Sequence, residues 1–247
     1  MSSRADYQKR RFALLRDTID IPNCVGLEIG ACDLPTVPRE AGQCRYADFR
    51  SADEMITAWD LPPETVCHVD YLLSRHRPPN EQIADRFDYV VACHVLEHIA
   101  DPISYLQSLQ RLLKDGPGKV IFITLPDKRA TPDATRPSTT VEHLLACHHE
   151  RSTKPSFEAI LEFHRHWVGY ANGGTKPLAL AQAYAHAAEY FKTDDADAHC
   201  NVWRDFEFRD QVEELAEAGF LPGLRISLFE PFFVGTNEFA IALKTIA

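Results

Sequence analysis

An α/β fold built on one mostly parallel sheet is what this sequence predicts, and three observations predict it. Short apolar runs alternate with helical patterns over the first 125 residues. The clearest of these runs are apolar along nearly their whole length, as strands buried on both faces must be. The 247 residues, 45% hydrophobic and 25% charged, can enclose one sizeable core, and neither half has the composition of an independent unit.

The charged stretch 1–17 reads as a helix with Lys9, Arg10 and Arg11 on a solvated face, not as a signal peptide. Cys24–Ile29 is a first strand ending in Gly30, and Arg45–Asp48 a short second one. Val66–Val69, Phe87–Cys93 and Lys119–Leu125 follow as the third, fourth and fifth. The helix between the last two is well punctuated. Asp101 is its N-cap, Pro102 its first residue, and Leu106, Leu109, Leu112 and Leu113 its apolar stripe, with 115–118 as the stop. From Pro126 to Asn201 the alternation breaks into three helical stretches, near 139–148, 156–170 and 177–192. Thr139 with Glu142 forms a capping box that starts the first, 171–174 ends the second, and Pro177 opens the third. A helix around 207–218, closed by Gly219, then leads to strands near 225–229 and 238–244. The expectation is a single domain over 1–247 with a doubly wound, seven-stranded sheet, interrupted by a helical insertion at 126–201.

A formal charge of −10 argues against nucleic acid or anionic membrane as a partner, since both are bound through basic surface. No apolar run approaches the roughly 20 residues that cross a bilayer. Seven scattered cysteines without a CxxC pair suggest neither a disulfide framework nor a cysteine zinc site, which points to a reducing, cytoplasmic setting. Self-association is left open.

Chemistry concentrates first at Leu27-Glu28-Ile29-Gly30, a strand running into a tight turn. A glycine there lets a ligand approach the backbone, and in open α/β sheets ligands sit at the carboxyl ends of the strands. Asp48, 18 residues after Gly30, ends the second strand, where a carboxylate accepts hydrogen bonds from ribose hydroxyls. The bland reading makes Gly30 a turn residue and Asp48 a surface acid. Ala31-Cys32-Asp33-Leu34-Pro35 supplies none of the further glycines that a pyrophosphate needs. A nucleoside without phosphates fits better, and S-adenosylmethionine is therefore favoured over NAD.

These residues, with Asp88 to Ile99 containing His94-Val95-Leu96-Glu97-His98 and then Asp101-Pro102, resemble the class I S-adenosylmethionine-dependent methyltransferases over roughly 20–128 and the last 45 residues. Pro126–Arg129 with Arg136-Pro137 and Thr139–Leu144 is similar to a bacterial subgroup, the type 11-like methyltransferases. The resemblance implies a Rossmann-like sheet. It also implies that Glu28 faces the sulfonium and amino end of the cofactor, that Gly30 and Ala31 underlie its aminoacyl part, and that Asp48 binds the ribose. By the same token Asp70 flanks the adenine, and Cys93 and His94 line the sulfonium pocket.

Methyl transfer is an in-line displacement whose leaving group is already activated, so alignment and exclusion of water matter most. A base is needed only if the acceptor carries a proton. The insertion is rich in histidine: His143, His148, His149, His164, His166, His186 and His199. These are spread over three segments, so no metal site is expected. His143 and His199 are the preferred bases, with His94 beside them, whereas His98 reads as structural. Arg129 and Arg136 are candidates to fork onto a substrate carboxylate or phosphate, weighed against loop salt bridges with Asp127 or Asp133. Trp203 is a candidate substrate wall. The leading expectation is methylation of oxygen or nitrogen on a small-molecule acceptor. The rivals are attack on another sulfonium carbon, as in aminocarboxypropyl transfer or cyclisation releasing methylthioadenosine, and a non-catalytic nucleoside- or partner-binding module.

Overall fold

The computed structural model describes residues 3–168, 170, 176–193 and 197–246. Seven strands form one sheet: β1 Val25–Ile29, β2 Gln43–Asp48, β3 Tyr71–Leu72, β4 Tyr89–Cys93, β5 Val120–Pro126, β6 Leu224–Glu230 and β7 Glu238–Thr245. Their order is β3-β2-β1-β4-β5-β7-β6. Every pair from β3 to β5 is parallel, while β7 runs antiparallel to both β5 and β6. The chain winds outward in both directions from β1 and β4, so a crevice opens between their carboxyl ends. The sheet class is as the sequence predicts.

The helices are α1 Arg4–Arg16, α2 Ala52–Trp59, α3 Pro102–Leu112, α4 Val141–Glu150, α5 Phe157–Phe163, α6 Leu180–Tyr190 and α7 Asp205–Glu217. On one face of the sheet α3 and α7 pack Ile103, Leu106, Leu109, Phe208, Val212 and Leu215 against β4, β5 and β7. Each such side chain stabilises the fold by roughly 1.5–3 kcal/mol. On the other face Leu15 of α1 and Ile21 meet Tyr46, Tyr89, Val91 and Phe122. Helix α3 starts as expected: Asp101 caps it by accepting from the Ser104 amide at 3.0 Å, and Pro102 occupies its first turn. The insertion carries a small core of its own, where Ile160 of α5 meets Ala187 of α6 and Ala198.

Several boundaries differ from expectation. Val66–Val69 is not a strand. The Cys67 amide donates to Cys32 O at 2.8 Å, so the segment is tied to the loop after β1 and pairing begins only at Tyr71, opposite Ala47. Thr140, not Thr139, caps α4, because the Thr139 hydroxyl is taken by the Val202 amide at 3.0 Å. The second insertion helix ends at Phe163 and continues as a π-helical turn, His164–Val168; its expected stop at 171–174 lies outside the described residues. The third opens at Leu180, with Pro177 in the preceding extended segment. No helix among the described residues is long and apolar enough to cross a membrane.

Candidate active site

A cavity of about 930 Å³ occupies the crevice at the carboxyl ends of β1, β2 and β4. Gly30 and Cys32 after β1, Asp48 and Phe49 at the end of β2, and His94 and Val95 after β4 form its floor. Helix α3 adds Asp101, Ser104 and Tyr105, and the far wall comes from Arg75 to Pro79. Residues 151–155, with His148 and His149 from α4, line it as well.

Gly30 is required by the turn. Its φ is +77°, and a Cβ there would lie 2.7 Å from Val95 Cγ2, so only a glycine leaves the chain on this path. Asp48 is half-buried, and its Oδ1 accepts from the Arg50 amide at 3.1 Å. Burial raises its pKa, opposed by the Arg50 and Phe49 amides. Tyr105 brings a hydroxyl that is out of water and has no hydrogen-bond partner among the described residues. A buried orphan of this kind normally has a polar partner.

His94 stands in a left-handed conformation, φ +54°. Its Nε2 is 2.8 Å from Glu238 Oε2, and its Nδ1 is 3.5 Å from Glu97 Oε1. Arg11 of α1 grips the same Glu238, with Nε donating to Oε1 at 3.1 Å. Burial pulls the His94 pKa down, but bonding to Glu238 and Glu97 outweighs it and lifts it to about 9. Burial likewise raises Glu238, and His94 with Arg11 reverses this to about 2. His94 lines the cavity, with its two ring nitrogens turned to Glu238 and Glu97.

Other expectations are corrected by geometry. Glu28 is 1% exposed and does not reach the cavity; its carboxylate accepts from the Thr36 and Val37 amides at 2.7 and 3.1 Å, so it holds the loop after β1 from beneath. The side chains of Ala31 and Cys93 pack into the core under that loop, with Cys93 Sγ 3.3 Å from Thr36 Oγ1 and its thiol pushed up by burial to about 11. Asp70 ion-pairs with Arg39 at 2.7 Å and Arg45 at 3.3 Å, away from the cavity, and the wall beyond β3 is made by Arg75–Pro79 instead.

His143 is exposed on α4, its Nε2 3.5 Å from Cys147 Sγ, and it does not line this cavity. His199 is buried, with Nδ1 2.6 Å from Asp133 Oδ2 and its ring edge-on to His98 at 4.8 Å, so it is closed to the acceptor cavity. Arg129 bridges Asp127 and Asp205, both at 2.6 Å. Arg136, 2% exposed, donates to Asp133 at 2.8 Å, Glu162 at 3.3 Å and His199 O at 2.9 Å. For Arg136 all three guanidinium nitrogens are engaged internally, whereas Arg129 pairs with its two aspartates while its side chain stays 42% exposed. Trp203 is core, its indole Nε1 donating to Gln211 at 3.0 Å.

In their place the cavity presents residues that the sequence alone does not favour. His148 turns Nδ1 toward Ser104 Oγ at 3.0 Å and Asp101 Oδ2 at 3.3 Å. His98 forms a 2.7 Å ion pair through Nδ1 with Asp197 Oδ1, at an angle that leaves both atoms without a hydrogen bond. The one legible signal is Asp101, whose capping position fixes Ser104 and Tyr105 on the cavity side of α3.

The family described as "Methyltransferase domain" matches residues 38–220. No curated protein matches the chain. Among solved structures, one described as "Putative Zn-dependent Alcohol Dehydrogenases from Rhodobacter sphaeroides" superposes with a TM-score of 0.52 at 12% identity, over 97% of this chain and 90% of the other. The CurJ carbon methyltransferase superposes with a TM-score of 0.50 at 13% identity, over 99% of this chain and 54% of that longer one. At such identities the likeness speaks for the fold, and the family rests on the match to 38–220, which takes in most of the floor and walls of the cavity. The chain belongs to the methyltransferase-domain family and is an S-adenosylmethionine-dependent transferase.

Proposed function

We propose that the chain transfers the methyl group of S-adenosylmethionine to an oxygen or nitrogen of a small-molecule acceptor, with the insertion as the cap that admits it. The observation that carries this reading is the cavity, which joins the Gly30–Asp48 crevice to the insertion in one space of about 930 Å³. That lies at the upper end of small-molecule sites, roughly 300–1,000 Å³, as a cofactor and a small acceptor together require.

The residues suit the cofactor. Gly30 offers a backbone that a ligand can approach closely, and Asp48 offers carboxylate oxygens to paired hydroxyls. Tyr105 offers an unpartnered hydroxyl. The loop after β1 has no run of glycine amides for phosphates. When bound, S-adenosylmethionine supplies a methyl carbon already activated by the sulfonium charge.

The chain's own work is then to orient the acceptor, exclude water and take up a proton. His148 fits the last task. Its Nδ1 is occupied by Ser104 and Asp101, which leaves Nε2 as the ring nitrogen with a free lone pair on a residue that lines the cavity. Asp101 orients the ring and stabilises the imidazolium that forms.

Incubation with S-adenosylmethionine and a cell extract, followed by mass spectrometry, tests this. S-adenosylhomocysteine with an acceptor 14 mass units heavier is expected (~14 Da per transferred CH₂ by composition). Methylthioadenosine as the product would instead favour side-chain chemistry and overturn the methyl-transfer reading.

A further inference from the structure

Glu97, His98 and His199 come together behind the wall of the cavity, each with one ligand atom within 4.8 Å of the others. The two histidines are 101 positions apart in the sequence, and the fold joins them edge-on at 4.8 Å between ring centres. Glu97 is 1% exposed, and its Oε2 has no hydrogen-bond partner among the described residues. Its other oxygen faces His98 Nε2 at 3.9 Å.

Each histidine also has a carboxylate behind it. Asp197 Oδ1 is 2.7 Å from His98 Nδ1, and Asp133 Oδ2 is 2.6 Å from His199 Nδ1. The hydrogen bond to Asp133 leaves Nε2 of His199 over, and Asp197 stands behind His98 at a distance that a small rotation turns into the same bond. A carboxylate behind the distal nitrogen is the recurring support of metal-bound histidine, since it fixes the tautomer and raises the basicity of the ligating atom.

We propose that Glu97, His98 and His199 form a binding site for one divalent transition-metal cation, with Asp197 and Asp133 orienting the two imidazoles. Two neutral imidazoles and one carboxylate suit zinc, iron(II) or cobalt(II) better than magnesium or calcium, which prefer all-oxygen sets. Ligands sit about 2 Å from such an ion and about 3.3 Å from one another, so atoms up to 4.8 Å apart close by roughly 1.5 Å on binding, shared between the two side chains. Three protein ligands leave further positions open. His98 is both a ligand and part of the cavity wall, so those positions are within reach of what the cavity holds. No sequence pattern announces this site, because ligands from the turn after β4 and from the end of the insertion have no regular spacing.

The experiment uses the full chain, stripped with a chelator and titrated separately with Zn(II) and Co(II) by calorimetry and visible absorption. One ion per chain is expected, with a Co(II) spectrum of mixed nitrogen and oxygen ligation. His98→Gln and His199→Gln should each weaken binding at least about tenfold, and Asp197→Asn about 10–100-fold. Circular dichroism and melting confirm that each variant is folded. If His199→Gln fails to fold, His98→Gln, at a half-buried position, decides alone. No binding up to millimolar metal, or binding that is unchanged in folded His98→Gln, overturns the site. S-adenosylmethionine titrated into the stripped protein separates this result from the methyl-transfer reading, which stands if the cofactor still binds.

Discussion

Replacing Glu28 with glutamine separates two roles for the same residue. In the structure both carboxylate oxygens are engaged by the loop after β1, Oε1 taking the Thr36 amide at 2.7 Å and Oε2 the Val37 amide at 3.1 Å. Glutamine keeps one acceptor and turns an NH₂ group toward a backbone N–H. One charge-assisted bond worth about 1.5–3 kcal/mol is lost, and a buried donor is left facing a donor. The expected destabilisation is about 2–4 kcal/mol, read as a fall in melting temperature of roughly 5–15 °C. Urea titration gives the free energy, and calorimetry at a temperature where both proteins are folded gives the affinity for S-adenosylmethionine. That affinity should change by less than about tenfold. The opposite pattern, unchanged stability with a larger loss of affinity, would put the carboxylate against the sulfonium and refute its role as the support of the loop.

Four further outcomes are expected. Asp48→Ala should weaken S-adenosylmethionine binding by about 1–3 kcal/mol without lowering the melting temperature, and an unchanged dissociation constant would mean that the ribose lies elsewhere. Gly30→Ala must place its Cβ 2.7 Å from Val95 Cγ2 at φ +77°, so a loss of about 1–3 kcal/mol of stability is expected, together with loss of cofactor binding. Burial raises the Asp88 pKa, but Lys114 at 2.6 Å and Lys119 at 2.7 Å outweigh it and hold it at about 2, below the ordinary 3.8. Its contribution is thus complete above pH 3.8 and lost as pH falls through 2, and unfolding curves of Asp88→Asn should lack that part of the acid limb. Arg129→Ala should lower stability by leaving Asp127 and Asp205 buried without their shared cation, with KM for any acceptor unchanged once folded protein is assayed.

What is legible in the sequence depends on how local its cause is. Strands β4 and β5 are buried at every residue, and α3 carries its cap, proline and leucine stripe within a dozen positions, so all three can be read nearly to the residue. The short edge strand β3 is harder to place because its two residues pair through a neighbour on one side only. Gly30 and Asp48 stand out because the ends of strands announce themselves. The insertion is opaque for the opposite reason. Arg136 looks like a free cation until Glu162 and Asp133 close on it, and His199 looks isolated until the fold sets it beside His98. Charge compensation across tens of residues leaves no periodic trace.

Strand β7 is the last of the seven in chain order, yet it lies between β5 and β6 and not at an edge. During synthesis the other six strands are complete before it emerges, so β5 waits with an open hydrogen-bonding edge and β6 has no place to dock. Its first residue, Glu238, is also the anchor for both Arg11 and His94. The N-terminal helix, made first, and the cavity floor, made midway, thus acquire their common counter-ion only when the final strand is threaded in. Closure of the sheet and seating of His94 are therefore one late event, and a nascent chain stalled short of Glu238 would have neither.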